Sequence, residues 1–276
     1  MANHTIKFGF NHMISPSLTP EGLIEAAAQT GAVAIELRND IGANSLSDVD
    51  AARRIGAMAA DRGLEVRSLN ALYPFNVWND ERARQAEALA RIAAACGAIG
   101  LVMCPLNEGK MLDDTPDKAA GLRAALRGLG EILGAFGLKG FVEPLGFPRS
   151  SLRFKRDALA AIDEIGGADT FSLVHDTFHH RGAGENEIFA ARTGLVHISG
   201  LEATTISFVD MEDADRVLVG PQDRLGNVEQ LRRLYADGFD GIVSFEPFAK
   251  QIHDLADPIA AVRASMAYVS RALAEA

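Results

Sequence analysis

The sequence predicts a closed (β/α)₈ barrel, and three observations carry that prediction. Eight short apolar runs alternate with longer segments of helical period. Their junctions share one form, in which a helix ends, a glycine follows and an apolar strand begins. The eight units together fill about 250 of the residues in the chain, the length such a barrel needs. Strands that alternate with helices imply a parallel sheet. Glycine suits the left-handed position just past a helix end.

The strands are read in order. "IKFGF" (6–10) opens the series. The glycine junction then introduces "TGAVAIEL" (30–37), "RGLEVRSL" (62–69), "CGAIGLVM" (96–103) and "FGLKGFVE" (136–143). "IGGADTFSLVHD" (165–176) is a looser copy, and "RTGLVHIS" (192–199) and "DGFDGIVSFE" (237–246) complete the eight. Between them, Leu122, Leu126, Leu129, Leu133 and Phe136 step by three or four, as do Ile259, Val262, Met266, Val269 and Leu273. Thr19-Pro20-Glu21 gives a helix cap followed by proline at the first helical position. Ser47 followed by Asp50 resembles a capping box. An open doubly wound sheet is the competing fold, but no G-x-G-x-x-G turn follows the first strand, where "GFNHMISPS" (9–17) stands instead. With no Ser/Gly-rich linker and no shift of composition, residues 1–276 are read as a single domain. The stretch from Gly200 to about Asp223 fits neither a strand nor a helix, and a loop of that length in a compact domain is usually functional.

Composition narrows the function. Apolar residues make up 48% of the chain, enough for one large core. A formal charge of −10 without a Lys/Arg-rich block disfavours nucleic acid as a partner. Two cysteines, Cys96 and Cys104, make no disulfide framework and suit a reducing cytoplasm. The start "MANHTIKFGF" lacks the apolar core of a secretion signal, and no apolar run reaches the ~18 residues of a membrane span.

Two stretches nearly repeat: "FVEPLGF" (141–147) and "SFEPFA" (244–249) each run apolar, stop at a glutamate and turn at a proline. A carboxylate is costly to bury unless something pairs with it. Strand side chains alternate in direction. Phe141 and Glu143 therefore share a face, as do Ser172, Val174 and Asp176, Leu195 and His197, and Ser244 and Glu246. Each of strands five to eight thus ends with a metal-ligating type on a consistent face, at the end of the barrel where active sites lie. Taken singly, each residue reads as a solvated rim group or a core histidine; the agreement of all four points to one site. Three carboxylates in one pocket repel, and a divalent cation resolves that. Their oxygen-rich donor set with one imidazole suits Mn²⁺, Mg²⁺, Co²⁺ or Zn²⁺ without choosing among them. By the same alternation His175 faces the helix layer and is not expected to be catalytic.

The order of these residues, a glutamate on strand five, D-x-x-H on strand six, "VH" on strand seven, a late D-R pair and a glutamate on strand eight, resembles the xylose isomerase-like TIM-barrel superfamily. That group includes sugar phosphate isomerase/epimerase-type proteins, ketose 3-epimerases, hydroxypyruvate isomerase and the inosose isomerases and dehydratases of inositol catabolism. The nearest similarity is to inosose (2-keto-myo-inositol) isomerase-like proteins, carried mostly by "DRVLVGPQDRLGNVEQLRRLYADGFDGIVSFEPFA" (215–249). The resemblance implies a single divalent-metal site at Glu143, Asp176, His197 and Glu246, with Glu143 and Glu246 also the acid/base pair on opposite faces of the substrate. It implies substrate-orienting roles for His179 and Arg216; Asn70 at the end of strand three is a further pocket candidate. Arg216 read without the family pattern is equally a salt-bridge partner of Asp213 or Asp215. The chain departs from its relatives where Gly200 and Leu201 follow "VHIS" and where "GPQD" (220–223) replaces a common G-x-G, both in the region that sets specificity.

The reaction so implied is proton transfer next to the carbonyl of a keto-polyol, through an enediolate, giving an isomer or an epimer. A metal-dependent dehydratase of a keto-inositol or dehydroshikimate-like substrate is the alternative from another class. A nuclease like endonuclease IV ranks third, because strands three and four end at Asn70 and Cys104 and supply no extra histidine ligands; a non-catalytic sugar binder is also compatible. Phe75 and Trp78 read either as an apolar wall against the substrate or as packing of their loop on the rim, and Cys104 as a buried inert thiol. The partner is a small keto-polyol rather than nucleic acid or membrane. Relatives are often dimers or tetramers, so a homo-oligomer is compatible, and no feature of the sequence decides it.

Overall fold

The glycine junctions are helix ends, except that Gly194 of "RTGLVHIS" lies within the seventh strand itself. Gly31 and Gly137 sit in the left-handed region at φ 79° and 68°, each closing the helix before it and releasing the chain into a strand. The computed structural model describes residues 5–108 and 117–275. Its elements run β1 (Lys7–Asn11), α1 (Pro20–Thr30), β2 (Ala34–Arg38), α2 (Val49–Asp61), β3 (Glu65–Leu72), α3 (Asp80–Ala95), β4 (Gly100–Met103), α4 (Lys118–Phe136) and β5 (Lys139–Val142). Then follow α5 (Lys155–Glu164), β6 (Phe171–Asp176), α6 (Thr177–Ala183), β7 (Thr193–Ile198), α7 (Asn227–Ala236), β8 (Ile242–Phe245), α8 (Lys250–His253) and α9 (Pro258–Ala274).

Every strand pairs in parallel with the next, and β8 pairs back onto β1, so the sheet closes as the eight-stranded barrel the sequence predicts. The alternation of side chains divides the apolar residues into two cores. Ala34, Val102, Phe141, Val174, Leu195 and Ile242 pack inside the barrel. The larger set, including Phe10, Ile35, Leu37, Leu69, Leu101 and Val243, joins the barrel wall to the helices. Beneath the inner layer Arg67 crosses from β3, donates to the carbonyl of Gly194 on β7 and lies 5.0 Å over the ring of Phe141.

Two local readings change. The cap of α2 is Asp48, whose carboxylate accepts from the Ala51 amide, rather than Ser47. Ser and Asp cap equally well, and the hydrogen bond chose the nearer of two adjacent candidates. The unassigned stretch after β7 folds back on itself. Gly200 and Val217 exchange backbone hydrogen bonds of 2.7 and 2.9 Å, and the carbonyl of Arg216 accepts from Phe248 and Ala249 beyond β8. Its Leu201 and Met211 pack with Leu145, Phe147, Phe178 and Leu225 in a third apolar cluster over the barrel mouth.

Gly146, in the repeated Glu-Pro stretch, lets the chain after β5 touch the backbone of α6. A Cβ there would overlap the carbonyl oxygen of His179 and stand 2.8 Å from the Ala183 nitrogen. Neither atom belongs to a side chain that can rotate away. Gly146→Ala is expected to lower the stability by about 1–3 kcal/mol, as overpacking commonly does. Urea denaturation measures it, and an unchanged midpoint would show that α6 is free to shift.

Candidate metal centre

The four strand-end residues meet. Val174 and Leu195 fill the barrel, and two residues further on Asp176 and His197 stand side by side as register partners of β6 and β7. Glu143 lies one residue past β5 and Glu246 one past β8, each continuing the inward face of its strand. One ligand atom from each of Glu143, Asp176, His197 and Glu246 lies within 4.8 Å of the others, and all four residues are buried.

Their hydrogen bonds are unequal. Glu246 accepts at Oε1 from Asn11 Nδ2 (3.1 Å) and Arg38 Nη1 (3.0 Å), and at Oε2 from Arg216 Nη2 (2.9 Å), with His197 Nδ1 3.2 Å away. Burial works to raise its carboxyl, but the charges of His197, Arg216 and Arg38 outweigh that and hold it well below the usual carboxylate range. Glu143 has fewer partners: His197 Nδ1 at 3.0 Å and the thiol of Cys104 at 3.3 Å. Asp176 divides its work. Oδ1 accepts from the amides of Phe178 (2.7 Å) and His179 (3.0 Å), capping α6, and Oδ2 faces Arg216 Nη2 at 2.5 Å. Burial alone would lower His197, yet the surrounding charges of Glu246, Glu36 and Glu143 push it well above an ordinary imidazole.

Two charged residues of this centre were absent from the sequence reading. Glu36 and Arg38 lie on β2, on the inward face shared with Ala34. Applying the alternation rule to "AIELR" would have found both. Glu36 is fully buried and lies 3.1 Å from His197 Nε2. Its burial opposes ionisation, but the charge of His197 and hydrogen bonds from His197, Ser244 and Ser68 hold it at about 2. Arg38 joins Glu246 to the half-exposed Asp40.

The other candidates are distributed around this cluster. Arg216 is buried with its guanidinium on Asp176 and Glu246, on Ser199 Oγ (3.1 Å) and on Asp213 (3.2 Å). The expected ion pair with Asp213 therefore exists, as the outer half of a bridge into the centre. Phe248, two residues past Glu246, has Arg216 4.6 Å and Arg38 5.6 Å from its ring centre, so both guanidiniums share one aromatic face partner. His179 sits in the first turn of α6 with its ring edge-on to Phe147 (5.1 Å) and Phe178 (5.4 Å), and its buried Nδ1 has no hydrogen-bond partner among the described residues. Asn70 is buried and donates to Glu36 (3.1 Å) and Ser68 (2.7 Å). His175 does face the helices, where Nε2 lies 2.9 Å from Gln230 Oε1 on α7. Cys104 is not an isolated thiol, since it donates to Glu143. Phe75 is wholly buried and Trp78 packs against Gly128 of α4, so that loop packs on the rim.

Residues 24–272 match the sequence model of the xylose isomerase-like TIM barrel family. The chain belongs to this family. Among solved structures it is similar to a xylose isomerase domain-containing protein from Salmonella typhimurium LT2, at 32% identity over 99% of both chains and a TM-score of 0.88. It also resembles the IolI protein with a bound zinc atom (20% identity, 96% of this chain and 98% of that one, TM-score 0.82). A third similar structure is a D-psicose 3-epimerase from Clostridium cellulolyticum H10 (14% identity, 97% and 99%, TM-score 0.75). At the identities of the last two, likeness shows the shared fold alone. No curated protein matches the sequence. The resemblance to the xylose isomerase-like superfamily thus stands.

In this xylose isomerase-like barrel the donor set fits a divalent cation. The spacing of the four ligand atoms is close to the roughly 4 Å that separates opposite ligands of one small ion. The charges agree. Four buried carboxylates, Glu36, Glu143, Asp176 and Glu246, face two buried guanidiniums, Arg38 and Arg216. With a neutral imidazole, two negative charges are left without a buried partner, the charge that one divalent cation supplies.

Behind Asp176 lies a second buried group of ionisable residues. Lys155 Nζ at the start of α5 is 2.6 Å from His180 Nδ1 and 3.2 Å from Glu185, and the rings of His180 and His175 are 4.8 Å apart. Glu185 also accepts from the amides of Lys155 and Arg156, capping a helix whose own cap residue, Phe154, has no side-chain acceptor. Burial and the Lys155 charge lower His180 to about 3 and push His175 well below its ordinary value. Folded, both rings stay neutral where the unfolded chain takes up protons below pH 6.5, so stability falls as pH falls. Between pH 6.5 and 4.5 this loss should approach about 1.4 kcal/mol per pH unit for each ring. His180→Gln, which keeps an acceptor for Lys155, should make the slope shallower. Urea denaturation across that interval tests it, and an unchanged slope would contradict the assignment.

Proposed function

We propose that the protein is a divalent-metal-dependent isomerase or epimerase of a keto-polyol, an inosose or a ketose. The observation that carries this reading is the convergence of Glu143, Asp176, His197 and Glu246 at the barrel mouth. The family and the epimerase among the similar structures support the reaction class, and the zinc atom of IolI supports a divalent cation at this end of the barrel.

Glu143, Asp176, His197 and Glu246 would hold the cation. Bound there, it supplies Lewis acidity, stabilising the negative charge that develops on a substrate oxygen as the neighbouring carbon loses its proton. The protein supplies the proton transfers. Glu143, whose side-chain partners among the described residues are a thiol and an imidazole, with no guanidinium on it, takes the proton from carbon. Glu246 stands across the cluster, fixed by Asn11, Arg38 and Arg216, and closes the other face. Return of that proton by Glu143 to the adjacent carbon, with the hydroxyl proton there passing to the former carbonyl oxygen, gives an isomer; delivery by a protonated Glu246 to the opposite face of the same carbon gives an epimer and leaves the abstracted proton on Glu143. His179, whose Nδ1 has no hydrogen-bond partner among the described residues, orients a substrate hydroxyl. Arg216 acts on the substrate through the two carboxylates it holds in place.

The test is proton–deuterium exchange in D₂O across a panel of keto-inositols and ketoses with divalent cation present. Exchange at the carbon beside the ketone is expected for one of them. Glu143→Gln and Glu246→Gln should each slow it about 10²–10⁴-fold in protein that melts as a single cooperative unit. Exchange at the parent rate in either folded variant would overturn the acid/base assignment. A conjugated product would assign the site to dehydration instead.

A further inference from the structure

We infer that Glu36 is a positioning residue for the metal centre, holding His197 so that its Nδ1 lone pair is directed at the cation. The inference rests on the reading of Glu143, Asp176, His197 and Glu246 as metal ligands. His197 is wholly buried between two sets of carboxylate oxygens. Nδ1 lies 3.0 Å from Glu143 and 3.2 Å from Glu246, the side on which the four ligand atoms converge. Nε2 lies 3.1 and 3.2 Å from the two oxygens of Glu36, on the other side of the ring. A ring that donates from Nε2 to Glu36 has its unprotonated nitrogen at Nδ1. Carboxylates commonly fix metal-binding imidazoles in this way and raise their basicity.

Glu36 is itself held. Ser68 Oγ donates to it at 2.6 Å and Asn70 Nδ2 at 3.1 Å. Both donors depend on an irregularity in the sheet. The pairing of β2 with β3 runs Ile35 to Val66 and then Glu36 to Ser68, so Arg67 is an extra residue. A bulge of this kind re-aims the side chains that follow it. Without it, alternation would set Ser68 and Asn70 on the helix side, and Glu36 would face the imidazole without these two donors. The polar residue at the end of β3 therefore serves the histidine through Glu36.

Two measurements decide the matter. Calorimetric titration of the metal-stripped protein with Mn²⁺ is expected to show one site, with Glu36→Gln weakening it about 10- to 100-fold while the protein still melts cooperatively. Parent-like affinity in folded Glu36→Gln overturns the inference and leaves the proposed metal site standing. No binding by the parent protein overturns the metal site itself. The second measurement does not depend on any variant of Glu36 folding. In ¹⁵N-histidine-labelled, Zn²⁺-loaded protein, with His197 assigned by its absence from His197→Asn, the proton is expected on Nε2. A proton on Nδ1 overturns the inference.

Discussion

Four carboxylates buried together at one end of a barrel are the constraint around which this molecule is arranged. In a low-dielectric interior they repel one another, and an uncompensated one would favour protonation or unfolding. The chain answers with two buried guanidiniums from opposite sides, Arg38 on β2 and Arg216 on the loop after β7. Both also lie near Phe248, which the Glu-Pro turn after β8 places between them. Counted with His197 as a neutral ligand, the compensation is incomplete by the charge of a divalent ion; without one, the proton that the carboxylates draw onto His197 makes up part of the difference.

The scaffold makes that arrangement affordable in rigidity. The inward residues one step below, Val174, Leu195 and Phe141, close the barrel with hydrocarbon, and Arg67 crosses below Phe141 to Gly194. Above, the returning loop packs Leu201 and Met211 on Phe147 and Phe178. The polar layer therefore lies between two apolar ones, and each of its charges is directed by a strand end rather than by a flexible side chain reaching in from the surface.

The fold was legible because its signals are local and repeated: a glycine after each helix, and a helical period between apolar runs. The four convergent residues were legible because strand alternation is strict where no bulge intervenes, as in β5 and β8. The same rule, applied to β2, puts Glu36 and Arg38 on the inward face, but "AIELR" reads most simply as a buried strand with a solvated end, and nothing short of closing the barrel shows that its charged residues face a cluster. Ser68 and Asn70 were not legible in that role, because the extra residue at Arg67 shifts the register and only the paired sheet reveals it. Arg216 was found by resemblance alone. Its partners Asp176 and Glu246 are distant in sequence, and the ion pair visible nearby, with Asp213, is its solvent-facing half. Phe75 and Trp78 were ambiguous because an aromatic residue near a mouth serves a rim or a ligand equally well until its neighbours are known.

Asp176 holds one consequence for how this protein can change over time. A single carboxylate starts helix α6 with one oxygen and faces Arg216 and the ligand cluster with the other. Asparagine would keep the cap and lose the charge; alanine would lose both. Chemistry and architecture are thus inherited together at this position, and a lineage that abandoned catalysis would still find it costly to let the residue drift.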